Sequence, residues 1–324
     1  MGRISRIATA TSPVRGRLAP SPSGDLHLGH ARSFLLAWWQ ARSQGGEIIL
    51  RMEDLDADRC VEGAEQSVLE DLHWLGIDWD GEIVRQSDRL QLYEDALTKL
   101  WSDGHLYPCT CTRKELAEAA SAPHPTETPQ GPGGAEPGLY PGTCRGRFDS
   151  REAAMEATGR GAAWRMKIPP GECSFRDGIW GDYVEDVSAT VGDFPVTTKD
   201  GRAAYQLAVV VDDADQGVDH VLRGDDLLSS TARQIHLQRA LGLPSPAWYH
   251  VPLVIDGTGQ RLAKRHDSLS LRRLREGGWK ASEVLSWVAS SVGLDGVSRA
   301  TASDWLEDFR LESLPQGAVI GPVS

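Results

Sequence analysis

The sequence predicts an α/β fold in which a mostly parallel sheet is divided in two by an inserted region. Three observations carry that expectation. A turn rich in proline, serine and glycine, RLAPSPSGDLHLGH (residues 17–30), joins a short strand to a helix. EIILRM (47–52) is a continuous apolar run of the kind buried in a parallel sheet. The alternation of strands and helices breaks off near Tyr107 and resumes after Phe194 with YQLAVVVDD, DHVLRGDD and WYHVPLVID.

The elements follow in order. HARSFLLAWWQARSQGG carries Phe34, Leu35, Trp38 and Trp39 at helical spacing, with Gly45 and Gly46 as its stop. EIILRM then ends at Glu53 and Asp54, the edge where parallel sheets place ligand contacts. Two amphipathic helices come next, one with Val68, Leu69, Leu72 and Leu75, the other with Leu90, Tyr93, Leu97, Leu100 and Trp101, closed by Gly104. From Tyr107 a Cys-x-Cys pair and a charged helical stretch lead into SAPHPTETPQGPGGAEPG (121–138), too poor in apolar residues to pack and expected to be a mobile loop. YQLAVVVDD fits strand or helix, because a short apolar run does not fix its own period. After His266, ASEVLSWVASSVGL and ASDWLEDFRLESL read as helices. The expected organisation is an N-terminal tail (1–16), a first half of the split domain (17–106), an insertion (107–194), a second half (195–266) and a helical C-terminal region (267–324).

Composition bounds the function. The chain has 324 residues, 40% hydrophobic and 25% charged, which suits a soluble protein with two or three cores. No run approaches the roughly 20 apolar residues of a membrane span, and MGRISR is followed by TATSP rather than an apolar signal segment, so a cytoplasmic location is expected. The net charge of -12 repels a polyanion except at a local basic surface, and residues 261–280, RLAKRHDSLSLRRLREGGWK, offer one with seven Lys or Arg against two acids. A solvated helix face is the ordinary account of such a run.

The opening turn has the chemistry of a phosphate seat. Ser, Gly and Asp leave backbone N–H groups available, and a helix beginning at His27-Leu28-Gly29-His30 points its positive end above the strand. Gly29 would let a flat base or ribose approach the backbone, and the imidazoles of His27 and His30 can donate to phosphate oxygens. RLAKRH (261–266), after the turn IDGTGQ, supplies cations to a triphosphate leaving group.

Together these segments resemble the class I aminoacyl-tRNA synthetases, whose two ATP motifs are called HIGH and KMSKS. HLGH matches the first; RLAKR places Lys264 at the second lysine of the other, with Arg261 in place of the first lysine and Ala263 in place of the serine. The order RLAPSPSGDLHLGHARS, ILRMEDLD, AYQLAVVVDDADQGVDHVLRGDDLL and TARQIHLQRALG is similar to the glutamyl branch, and the short stretch after His266 to its truncated members, the glutamyl-queuosine tRNA(Asp) synthetases. The resemblance implies a Rossmann-like catalytic domain, a zinc-binding α+β insertion and no anticodon-binding domain. It implies ATP binding by Ser23, His27, Gly29, His30, Arg261 and Lys264, with His27, His30 and Lys264 catalytic. Glutamate binding falls to Arg17, Ser21, Glu53, Tyr205 and Arg223. The reaction implied is tRNA-independent activation of L-glutamate by ATP with Mg²⁺, then transfer to queuosine in the anticodon loop of tRNA(Asp), by a monomer. A glutamyl transferase with another acceptor and a non-catalytic RNA-binding relative are the alternatives.

Cys109, Cys111 and Cys144 fall close together, which in a reducing compartment suggests a metal before a disulfide. By the same resemblance Tyr140 completes a structural zinc site, one Zn²⁺ per chain; His105 or His124 is the other candidate for a fourth ligand. Cys60 and Cys173 are expected to be buried.

Overall fold

The computed structural model of the chain describes residues 13–120, 138–256, 270–294, 299–311, 314 and 316–321. The expected mobile loop, apart from Gly138, and the whole of RLAKRH therefore lie outside the described residues.

β1 (Arg15–Leu18) leads through the Pro/Ser/Gly turn into α1 (Leu28–Arg42), and β2 (Glu47–Met52) returns parallel to β1 with Arg17 opposite Ile49. The strand begins inside what the sequence suggested as tail. Gly46 lets the chain double back, since a Cβ there would lie 2.2 Å from the carbonyl oxygen of Val14. α2 (Ala64–Trp74) precedes β3 (Val84–Arg85), which pairs parallel with β2, and α3 (Leu90–Ser102) follows.

The central region holds β4 (Leu106–Cys109), α4 (Arg113–Ala120), α5 (Arg151–Thr158), β5 (Ala163–Met166), the hairpin β6 (Cys173–Asp177) and β7 (Gly181–Glu185), α6 (Val187–Thr190) and β8 (Phe194–Pro195). The chain continues through α7 (Tyr205–Asp215), β9 (His220–Gly224), α8 (Leu228–Leu241), β10 (Ala247–Val251), β11 (Val254–Ile255), α9 (Leu271–Glu276), α10 (Ala281–Ser290) and β12 (Val319–Ile320). YQLAVVVDD is thus a helix.

Of the strands described in the central region, β4, β5 and β8 form a sheet of their own, antiparallel throughout. β6 and β7, placed by sequence in the insertion, belong to the second catalytic sheet, ordered β7-β6-β10-β9. Strand patterning does not reveal a partner: β6 meets β10 through Trp248 opposite Asp177, 71 positions on. The two catalytic sheets adjoin along β1 and β9, where Arg15 N donates to Asp219 Oδ1 at 2.7 Å and Asp219 N to Arg15 O at 3.0 Å.

Two cores follow this division. The first packs α1, β1 and β2 with α2, α9 and α10; the second packs α3, α7, α8 and β9 with Met166, Ile168 and Cys173 of the central region. The C-terminal segment is therefore part of the first core. ASDWLEDFRLESL, expected to be a helix, shows no α-helix among its described residues, but a 3-10 turn at Ala302–Trp305. The helical spacing of Trp305 and Phe309 serves a different end, because both rings cover Trp39, at 6.3 and 5.7 Å between centroids. Trp39 itself donates its indole N–H to Ala302 O at 2.9 Å.

The basic run is partly structural. Arg272 lies 3.5 Å from Asp25, and Arg275 3.4 Å from Asp71, whose carboxyl is fully buried and pushed up to about 7 by that burial. Cys173 is buried as expected, but Cys60 is half-buried, its thiol near the carbonyl of Asp54. No helix among the described residues is long and apolar enough to cross a membrane.

Candidate active site

A cavity of about 480 Å³ opens above the carboxyl ends of β1, β2 and β9, where the two sheets meet. Arg17, Ser21, Glu53, Tyr205 and Arg223 line it, and so do Ser23, His27, Gly29 and His30. Residues spread over more than 200 positions thus converge because each lies at a strand end, at a helix start or in the turn between them at this edge.

His27 caps α1: its Nδ1 accepts from Gly29 N at 3.1 Å, while His30 Nδ1 accepts from His27 N at 3.3 Å and the two rings stack at 3.8 Å. A ring nitrogen that accepts carries no proton, so each neutral imidazole keeps its proton on Nε2 as a donor. One expectation needs correction. A Cβ on Gly29 would lie 2.9 Å from His27 Cε1, so the room left by this glycine is taken by the His27 ring rather than offered to a base. Ser23 N bonds Ser21 O at 2.8 Å, which tightens the turn. Arg261 and Lys264 lie outside the described residues. The chain nevertheless leaves this cavity at Val254 and re-enters beside it at Ser270, which bridges His27, with Leu271 N on Leu26 O at 2.8 Å.

The other end of the cavity is charged, and its arginines are buried. Arg17 and Arg223 are each 5% exposed. Arg17 donates to Leu222 O at 3.1 Å and stands 3.6 Å from Asp213; burial lowers its pKa against the pull of Asp213. Arg223 differs. Its Nε and Nη2 bond His250 and Thr231, and among the described residues its Nη1 has no hydrogen-bond partner and no carboxylate pairs with it. An uncompensated buried guanidinium is costly, and an incoming carboxylate offsets that cost. Burial raises the pKa of Glu53, opposed by the charges of Arg51 and Arg17.

Sequence reasoning missed the layer beneath. Arg51, with no exposed surface, bonds Asp213 at 2.8 Å and Gln216 at 2.6 Å and reaches Glu53 at 3.5 Å. Asp212, also fully buried, takes Arg89 at 2.7 Å, Gln86 at 2.7 Å and Tyr93 at 2.9 Å. A signal existed in YQLAVVVDDADQ, because Asp212 and Asp213, directly after the apolar run LAVVV, demand buried cations.

The cysteine cluster lies at the end of β4. The Sγ atoms of Cys109, Cys111 and Cys144 lie within 4.8 Å of one another, and Cys109 and Cys111 are 3.4 and 3.8 Å from the Tyr140 hydroxyl, to which Cys144 N donates at 3.0 Å. Four bonds of tetrahedral zinc would set the sulfurs about 3.8 Å apart, so thiols and phenol fit that ion. Crowding makes the same point. Burial pushes the Cys109 thiol up, but the Tyr140 hydroxyl and Arg165 outweigh it and lower the pKa; Cys111, buried beside that sulfur, is pushed up to about 12. A bound dication reverses the second penalty. Among the described residues neither His105 nor Cys60 belongs to this cluster, and His124 lies outside the described residues.

Residues 13–298 match the family model of tRNA synthetases class I (E and Q), catalytic domain. The chain belongs to this family. It is similar to a glutamyl-Q tRNA(Asp) synthetase of Nitratidesulfovibrio vulgaris, 47% identical over 320 residues, spanning 95% of this chain and 96% of that protein. A second glutamyl-Q tRNA(Asp) synthetase, of Nocardia farcinica, is 49% identical over 291 residues, with 90% and 88% covered. Among solved structures, a glutamate tRNA ligase of Elizabethkingia meningosepticum in complex with its amino acid shares the fold, with a TM-score of 0.79 at 24% identity over 95% of this chain and 67% of that one. This class I synthetase is accordingly an enzyme of the ligase type. Its cavity sits where the split sheet joins, which suits an open α/β ligase.

Proposed function

We propose that this synthetase activates glutamate with ATP, without tRNA, and esterifies it to queuosine at the wobble position of tRNA(Asp). The observation that supports the reading best is the buried charge of Arg223, which no carboxylate among the described residues pairs with, in a chain that matches glutamyl-Q tRNA(Asp) synthetases over almost its whole length. Arg223, with Arg17 beside it, takes the side-chain carboxylate of glutamate, and Glu53 receives its ammonium group. Tyr205 and Ser21 close that end. The α-carboxylate oxygen then attacks the α-phosphorus of ATP, and the P–O bond to pyrophosphate breaks with its electron pair. His27 and His30, at the positive end of α1, and Lys264 bear the charge that develops.

Arg261 and Ser23 complete the ATP contacts. Mg²⁺ bound with ATP would neutralise the phosphates. Cys109, Cys111, Tyr140 and Cys144 would hold zinc as a structural crosslink. In the second step a hydroxyl of the queuosine cyclopentene diol attacks the mixed anhydride, its proton passing to the departing AMP. An anticodon loop suits this acceptor, since its unstacked bases present edges and hydroxyls. Positioning rather than a strong base carries such a step.

The test maps the ester. With radiolabelled glutamate and ATP, the label is expected on the anticodon fragment of nuclease-digested tRNA(Asp), and none on tRNA(Asp) from cells that lack queuosine. Label on the terminal adenosine of tRNA(Glu) would refute the acceptor assignment, and glutamate activation without tRNA transfer would point to a small-molecule acceptor.

A further inference from the structure

Three neighbouring strands each deliver one member of a buried polar chain that ends, through Arg223, at the wall of the cavity. Arg223 and His250 are register partners across β9 and β10, so their side chains share one face, and Asp177 ends β6 on the other side of β10. Arg223 Nε donates to His250 Nε2 at 3.0 Å, and His250 Nδ1 meets Asp177 Oδ2 at 2.6 Å. The side chains of His250 and Asp177 have no exposed surface.

We propose that His250, its tautomer set by Asp177, is a positioning residue that fixes the Arg223 guanidinium for a substrate carboxylate. The inference rests on Arg223 as the glutamate ligand, and deepens that reading.

The protonation states follow from the donors. A guanidinium only donates, so His250 Nε2 must accept, and its proton sits on Nδ1, bonded to the carboxylate. Asp177 is itself fully engaged: its other oxygen accepts from Ile179 N and Trp180 N, each at 2.9 Å. It is an ionised acceptor with no freedom to turn. Burial, and secondarily the charge of Arg223, hold His250 down at about 4 despite the pull of Asp177, so the neutral ring persists at working pH. An Nε2–H tautomer would set two donors head to head.

The consequence is directional. Nε is held by His250, Nη2 by Thr231 Oγ1 at 2.8 Å, and the guanidinium lies 5.0 Å from the centre of the Trp248 ring. Among the described residues Nη1 alone of its nitrogens has no protein partner, in a residue that lines the cavity. A long side chain that would otherwise lose rotamer freedom on binding is ordered beforehand. The central region thus contributes to substrate recognition through Asp177.

Pyrophosphate exchange tests this. His250→Leu is expected to raise KM for glutamate about tenfold or more with KM for ATP within about twofold of wild type, and His250→Gln, which restores an acceptor oxygen, to recover most of the loss. Glutamate KM unchanged in both variants, or glutamate and ATP constants rising together, would overturn the proposal. Where His250→Leu does not fold, the wild-type protein decides by ¹⁵N–¹H correlation: an Nδ1–H ring at pH 7 is expected, and an Nε2–H ring contradicts it. Absence of exchange in wild type would sink the glutamate reading first, and the relay with it; normal wild-type exchange with indifferent variants sinks the relay alone.

Discussion

Arg223→Ala is expected to lower kcat/KM for glutamate in pyrophosphate exchange by two to three orders of magnitude while KM for ATP stays within about twofold. Truncating one partner of a buried, charge-assisted hydrogen bond costs about 3–4 kcal/mol, which is that range of rate. The asymmetry between substrates is the informative part. Arg223 shares the cavity wall with Glu53 and Tyr205, whereas His27, Gly29 and His30 cap α1 at the turn. In the folded protein without substrate the change breaks no ion pair among the described residues, but it removes the donors to His250 Nε2 and Thr231 Oγ1. Arg223→Lys should fall between the two, since an ammonium keeps the charge but cannot form the planar fork. A glutamate kcat/KM within about threefold of wild type for Arg223→Ala would contradict the assignment.

Metal removal is the second large effect. Protein purified without chelator is expected to carry about one zinc per chain, and Cys144→Ser to carry almost none. Loss of the ion should raise amide exchange by about tenfold or more in β4 and in residues 138–148, where Tyr140 and Cys144 lie, and leave β1 and β9 protected. The reason is connectivity. β4, β5 and β8 form a sheet apart from the catalytic ones, and the cluster of Tyr107, Cys109, Tyr140 and Cys144 is a core of its own. Arg165 links that cluster to the rest, with its guanidinium 3.7 Å above the Tyr140 ring and Nε on Cys109 Sγ at 3.2 Å. Zinc-free protein as isolated, or exchange that rises first in β1, would contradict this.

What the sequence revealed and what it hid divide along one physical line. The Pro/Ser/Gly turn, the apolar strand EIILRM and the periodic helices are local signals, and each stands where the pattern places it. The residues proposed to bind glutamate also lie together around one cavity, because a parallel sheet delivers its strand ends to one edge whatever their spacing in the chain. Hidden were the pairings. Asp177 reaches His250 across 73 positions, and Arg51 reaches Asp213 across 162; neither has a local signature beyond being a charge in an apolar strand or helix. YQLAVVVDD was undecidable by period, and its packing against α3 and α8 as a helix decides it. ASDWLEDFRLESL misled because its aromatic spacing answers to Trp39 rather than to a helix of its own. The tightness around Gly29 was invisible too, since a residue that caps its own helix leaves no trace in spacing.

The central claim is that one cavity at the junction of the two sheets holds glutamate and ATP in line for reaction. A crystal structure with a non-hydrolysable glutamyl adenylate analogue tests it most directly. The account predicts the side-chain carboxylate on Arg223 Nη1, the ammonium group near Glu53, and the phosphate mimic beside His27 and His30. An analogue lodged outside this cavity, or seated with its carboxylate away from both Arg223 and Arg17, would contradict it.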